Sequence, residues 1–136
     1  MDVNVVCTDD NYFFRLGISK VIEEALLSDA EVKFLSGFDS HNLRQADFIL
    51  INVSQWRLYM CQPAYRERKP GSIILVFTDD FGEKIKNPLP FCYQSLLEVS
   101  KRDSVRLITE KITKAWLNTQ GRVMGYLPSD CLRCEF

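Results

Sequence analysis

The chain has 136 residues, 46% of them apolar, and 17 Lys and Arg set against 18 Asp and Glu give a net charge of −1. That balance excludes a disordered, highly charged polymer and predicts one domain with one core. It also argues against unaided grip on duplex DNA, which needs clustered Lys and Arg on the phosphates. No apolar run approaches the ~20 residues that span a bilayer. The first ten residues carry acid and no base, unlike a secretory signal, so a cytoplasmic location is expected. The five cysteines, Cys7, Cys61, Cys92, Cys131 and Cys134, are an odd number in a chain read as unsecreted and do not suggest a disulfide framework.

In chain order, Val3–Thr8 is a short β-branched apolar run, read as a buried strand ended by Asp9 and Asp10. Phe13, Phe14, Leu16, Ile18, Val21, Ile22, Ala25 and Leu26 then recur at helical spacing. They predict a helix from about Tyr12 to Leu27 with Asn11 or Asp10 as N-cap. Ser28–Ala30 is a turn and Glu31–Leu35 a second strand. Gly37–Gln45 is polar, with room for about one helical turn. Asp47–Val53 (DFILINV) is a third strand, apolar but for Asn52 near its end. Ser54–Arg68 has helical character weakened by Pro63. Pro70-Gly71 is a strong turn signal, and Ser72–Thr78 (SIILVFT) is the clearest strand. Asp79–Pro90 reads as a loop broken by Gly82, Pro88 and Pro90. Gln94–Val99 is a fifth strand. Ser104 caps a helix to about Thr119 with Val105, Ile108, Ile112, Ala115 and Trp116 on one face.

Strands and helical stretches alternate, and continuous apolar strands of this kind belong in a parallel sheet covered on both faces. The expected fold class is therefore α/β: a flavodoxin-like three-layer sandwich whose five parallel strands run in the order 2-1-3-4-5. Residues 1–120 form the domain and residues 121–136 a linker or tail. In such a sheet function gathers at the carboxyl ends of the strands, which singles out Asp9, Asp10, Asn52, Thr78 and Lys101.

Thr8-Asp9-Asp10-Asn11-Tyr12-Phe13-Phe14-Arg15-Leu16-Gly17 resembles the start of response-regulator receivers of the LuxR/NarL type, where two acids end the first strand and Arg-x-Gly follows. The resemblance extends over about Asp2–Thr119. It implies that Asp9 and Asp10 are the acidic pocket that holds Mg²⁺ in a working receiver, Thr78 the switch hydroxyl, and Lys101 the charge partner, with Ser104 at the following helix start. It also places Asn52 at the phospho-acceptor position. A carboxylate there is the nucleophile for phosphoryl transfer; an amide cannot form an aspartyl phosphate, and losing its charge lowers Mg²⁺ affinity. The chain is thus similar to degenerate, RcsA-like auxiliary regulators, whose receiver-like half pairs with another regulator.

Plainer readings stand beside these. Asp9-Asp10 suits a helix N-terminus, Asn52 a strand-end turn, Thr78 an ordinary strand residue and Lys101 a solvated loop. Cys131-x-x-Cys134 lacks the further ligands zinc requires, His41 being the sole histidine. Arg66-Glu67-Arg68-Lys69 reads as a solvated face. Trp56, Tyr59, Tyr65 and Trp116 are core residues by default, with at least one expected as an interface anchor. A displaced acceptor, Asp47 or Asp79, is disfavoured, since Asp47 lies at the wrong end of its strand.

The expected function is that of a non-phosphorylatable, receiver-like regulatory domain of a bacterial transcription regulator. It is not an enzyme and has no cofactor. It would act by homo- or heterodimerisation, with itself or another response regulator, through its first and last helices. DNA would be reached only through a helix-turn-helix domain, for which Gly121–Phe136 is too short, or through a partner. The alternative is a small flavodoxin-like ligand- or cofactor-binding protein, although no Gly-rich phosphate loop follows the first strand.

Overall fold

The chain's architecture is given by a computed structural model that describes residues 2–26, 30–52, 67–78 and 96–120. Five strands, β1 (Asp2–Cys7), β2 (Glu31–Leu35), β3 (Phe48–Asn52), β4 (Ile73–Thr78) and β5 (Leu96–Ser100), alternate with three described helices, α1 (Tyr12–Ala25), α2 (Ser40–Gln45) and α3 (Val105–Gln120). All strand pairs are parallel and the order is β2-β1-β3-β4-β5. This is the flavodoxin-like α/β fold expected from the alternation of elements.

The central strands β3 and β4 are apolar at nearly every position because both of their faces are covered. Phe48, Leu50, Ile73, Leu75 and Phe77 join Val3, Val5 and Val99 in one core with Ile18, Ile22 and Ala25 of α1 and Ile112 of α3. The intervening residues Val6, Ile49, Ile51, Ile74 and Val76 are equally buried, as is Leu43 of α2. α2 therefore lies across the sheet from α1 and α3, and Asn4, whose amide reaches the Gln45 carbonyl, faces it. Each such aliphatic side chain contributes about 1.5–3 kcal/mol when fully buried. Trp116 stacks on Phe48 at 5.7 Å between ring centroids, so it is a core residue.

The helix starts follow local chemistry. Asn11 caps α1, its side chain accepting from the Phe13 and Phe14 N–H groups, and Asp39 caps α2 through the Asn42 N–H. Pro70-Gly71 forms a turn closed by Ser72 N–H to the Lys69 carbonyl at 3.1 Å, with Gly71 at φ +83°. Proline at the second position and a positive φ at the third are what a type II turn requires.

Three expectations need correction. Val105 is 60% exposed and is not on the core face of α3. Being the first residue of the helix, it projects past the end of the sheet. Phe13 and Leu16, although at helical spacing, are likewise exposed, and only Phe14, Ile18, Val21, Ile22, Ala25 and Leu26 of that set face the core. Arg68 and Lys69 are not a solvated pair: Arg68 is buried, and Lys69 donates to the buried Asp47 at 2.7 Å. Asp47 also accepts the Asn4 N–H, which ties the amino ends of β1, β3 and the turn before β4 together. Trp56, Tyr59, Tyr65, Asp79, the Ser54–Arg66 part of the third helical stretch and the cysteines after Cys7 lie outside the described residues.

Candidate functional site at the carboxyl edge of the sheet

The β1–α1 connection brings Asp9 over the carboxyl ends of β1, β3 and β5. One carboxylate oxygen, Oδ1, accepts the Asn11 N–H at 2.8 Å. The other, Oδ2, accepts the Asn52 amide Nδ2 at 3.1 Å and faces the Lys101 ammonium at 3.8 Å. Asp9 is thus the hub of a clasp that joins the end of β1 to the end of β3 and to the residue after β5. Burial pushes its carboxyl pKa up. The Asn11 N–H, the Asn52 amide, Lys101 and Arg15 outweigh that and hold it below the ordinary carboxylate value.

Four of the five residues singled out from the sequence stand in different relations to this clasp. Asn52 and Lys101 belong to it. Asp10 does not: its side chain is fully exposed and, among the described residues, reaches only Arg15, at 3.7 Å. Thr78 is buried beside it, and its carbonyl accepts the Lys101 N–H at 3.1 Å. Among the described residues its hydroxyl makes no hydrogen bond to Asp9, Asn52 or Lys101. Lys101 sits in the exposed turn after β5, and besides facing Asp9 its ammonium lies 5.3 Å from the centroid of the Phe14 ring. Phe14 in turn meets Phe77 edge-on at 5.0 Å.

Arg15 is the residue whose part here was not evident from the sequence. Its Nε donates to the Asp9 carbonyl at 2.7 Å and its Nη2 to the Cys7 carbonyl at 3.1 Å, with the guanidinium over the Phe34 ring at 5.4 Å. Planar, with several donors in a fixed fork, it staples the β1–α1 connection. A signal existed in the spacing, because an Arg four residues after an N-cap points back over the first helical turn.

The donor set does not fit a divalent cation. Asn52 supplies an N–H where a third carboxylate would be needed, and that N–H already occupies Asp9 Oδ2. Among the described residues no group of three His, Cys, Asp or Glu is placed to hold a metal. The amide also has an unmet need, as Asn52 Oδ1 is buried without a hydrogen-bond donor. Turning the amide over would not help, since it would set Oδ1 against the Asp9 carboxylate. The orientation with Nδ2 toward Asp9 is therefore fixed by electrostatics.

Comparison with known proteins adds the fold and little more. No protein-family model and no curated protein matches the chain. The structure is similar to part of the Francisella novicida lysine decarboxylase LdcF, with a TM-score of 0.55 at 14% identity. That match takes in 90% of this chain but spans only 18% of the decarboxylase. A flavodoxin from the domain Archaea aligns over 88% of this chain and 99% of its own length, at 11% identity and a TM-score of 0.46. At such identities the likeness concerns chain topology, which hosts many unrelated functions. No helix among the described residues is long and apolar enough to cross a membrane.

Proposed function

We propose that this chain is a receiver-like regulatory domain that has lost phosphorylation and acts by protein association, as part of a cytoplasmic bacterial transcription regulator. One observation carries the reading: the acceptor position holds Asn52, whose amide is spent on Asp9 Oδ2 at 3.1 Å beside Lys101. In a phosphorylatable pocket the acceptor oxygen and the acidic oxygens face a cation and the incoming phosphoryl group. Here an internal hydrogen bond and an internal ammonium satisfy the one acidic oxygen that matters. The pocket rests in a single state that needs neither metal nor phosphate.

The reading gives Lys101 and Arg15 structural roles in a pocket whose acceptor position, Asn52, offers no nucleophile. Both hold the β1–α1 connection, and with it the start of α1. Partner contact through α1 and α3, and DNA contact through a further domain or the partner, follow from the same reading. The direct test is incubation of the full chain with acetyl phosphate and Mg²⁺, followed by intact-mass measurement under neutral and acidic conditions. No phosphoryl adduct is expected, and beryllofluoride with Mg²⁺ should leave the mass in solution unchanged. An acid-labile adduct on this chain would overturn the proposal.

A further inference from the structure

All the exposed large apolar side chains of the described residues sit on two neighbouring helices: Tyr12, Phe13 and Leu16 on α1, Val105, Leu107 and Leu117 on α3. Phe13 and Leu16 continue along α1 into Lys20 and Glu24, at helical spacings of three and four residues, so these four share one outward stripe. Neither Lys20 nor Glu24 has an ion-pair partner among the described residues. α3 lies alongside α1 in the same sense, because both helices leave the carboxyl edge of the parallel sheet. Thr113 of α3 donates to the Ala25 carbonyl, the last of α1, at 2.9 Å. Leu117, one turn further on and 65% exposed, therefore projects about 6 Å beyond the end of α1, at 1.5 Å of rise per residue.

We propose that this face binds a second copy of the same chain, two-fold related, with the two α1 helices antiparallel and Lys20 of each paired to Glu24 of the other. The inference rests on the association reading above and names its surface and partner. An isologous contact must be self-complementary. A two-fold axis midway between Lys20 and Glu24 pairs both charges twice. By the same rise it sets Leu16 of one copy level with a point about four residues past Glu24 on the other. That is the level of the partner's Leu117. The apolar upper end of α1 thus meets the apolar lower end of the partner's α3, on either side of a charged centre. Parallel alignment instead sets Lys20 on Lys20 and Glu24 on Glu24. An acidic or basic partner would leave one of the two charges unmet, which favours a second copy.

The test is sedimentation velocity over a concentration series of the full chain and of Lys20→Glu, Glu24→Lys, the double exchange and Phe13→Ser. Melting followed by circular dichroism checks each fold. Each single reversal replaces two attractions with two repulsions and should weaken the dimer about tenfold or more. The double exchange should restore it, and Phe13→Ser should weaken it without changing the melt. A chain that stays monomeric, a dimer indifferent to the single reversals, or a double exchange no better than either single would overturn the pairing. None of those results bears on whether the chain accepts phosphate, so the earlier proposal stands or falls separately.

Discussion

Replacing Asn52 by Asp changes one heavy atom from nitrogen to oxygen and reverses the sign of the central contact. The Nδ2 donor 3.1 Å from Asp9 Oδ2 becomes an anionic oxygen at the same place. Two terms add. The lost hydrogen bond to a charged acceptor is worth about 1.5–3 kcal/mol. The new repulsion is at most about 5 kcal/mol at 3.1 Å for an effective dielectric constant of 20. Lys101, 3.8 Å from the same oxygen, offsets part of it, and the side chains move apart. The expected net loss at neutral pH in EDTA is about 2–4 kcal/mol, a drop in Tm on the order of 10 °C for a domain of this size. The pH dependence gives the sign. The new carboxyl has a folded-state pKa raised by its neighbour, so the deficit is full above that raised value and disappears as pH falls toward about 4. Mg²⁺ should recover stability in the variant, by binding the new carboxylate pair, and leave the wild-type chain unchanged. Urea denaturation at pH 5 and pH 7.5, with EDTA and with Mg²⁺, measures all of this. Equal stability of the two chains at pH 7.5 in EDTA would show that the Asn52–Asp9 contact is not made, and the proposed function would lose its carrying observation.

Three more expectations follow from the same geometry. Asp47→Ala removes the partner of Lys69 at 2.7 Å and the acceptor of the Asn4 N–H at 2.9 Å, and should cost about 3 kcal/mol in urea denaturation, far more than an exposed ion pair. Gly17→Ala, in mid-helix where an added Cβ meets nothing within 4 Å, should stabilise the chain by about 0.5–1 kcal/mol with an unchanged circular dichroism spectrum. Asp9 and Asp103 both have depressed carboxyl pKa values. For Asp103 the chief cause is the Lys111 hydrogen bond, which with the Ser100 N–H outweighs burial. Stability from these carboxylates is complete above their unfolded values near 4 and lost as pH falls through their lower folded values. An acid titration should therefore show native stability dropping below about pH 4, and less steeply in Asp103→Asn.

The sheet was legible because β3 and β4 are buried on both sides and so read as apolar runs, FILIN and IILVFT, each closed by a polar residue. β2 was legible by position between two turns more than by pattern, as Glu31 and Lys33 alternate with Val32 and Phe34 at an edge of the sheet. Helix faces were less so. Counting apolar residues by spacing groups Phe13 with Phe14 and Val105 with Ile108, but the two exposures have different causes. Val105 opens α3 at the carboxyl edge of the sheet, whereas Phe13 and Leu16 lie on the outward stripe of α1 shared with Lys20 and Glu24.

The site was legible as a set of strand-end residues, but not as a bonded group, and the difference has a physical cause. A strand end fixes the place of a Cα; which polar atoms meet is decided by the connection that follows. Asp9 turns inward because Arg15 holds the carbonyls of Cys7 and Asp9 from one side while Asn11 draws its Oδ1 from the other. Its neighbour Asp10 is left outside by the same turn, with only a long contact to Arg15. Two adjacent acids that look equivalent in the sequence therefore do different things, one building the clasp and the other meeting solvent. Asn52 fits this asymmetric arrangement. One inward carboxylate, one amide donor and one ammonium satisfy each other without a metal, whereas a second inward carboxylate at Asn52 would call for a cation to balance it. The amide at Asn52 and the local fold of the β1–α1 connection thus point to the same single resting state.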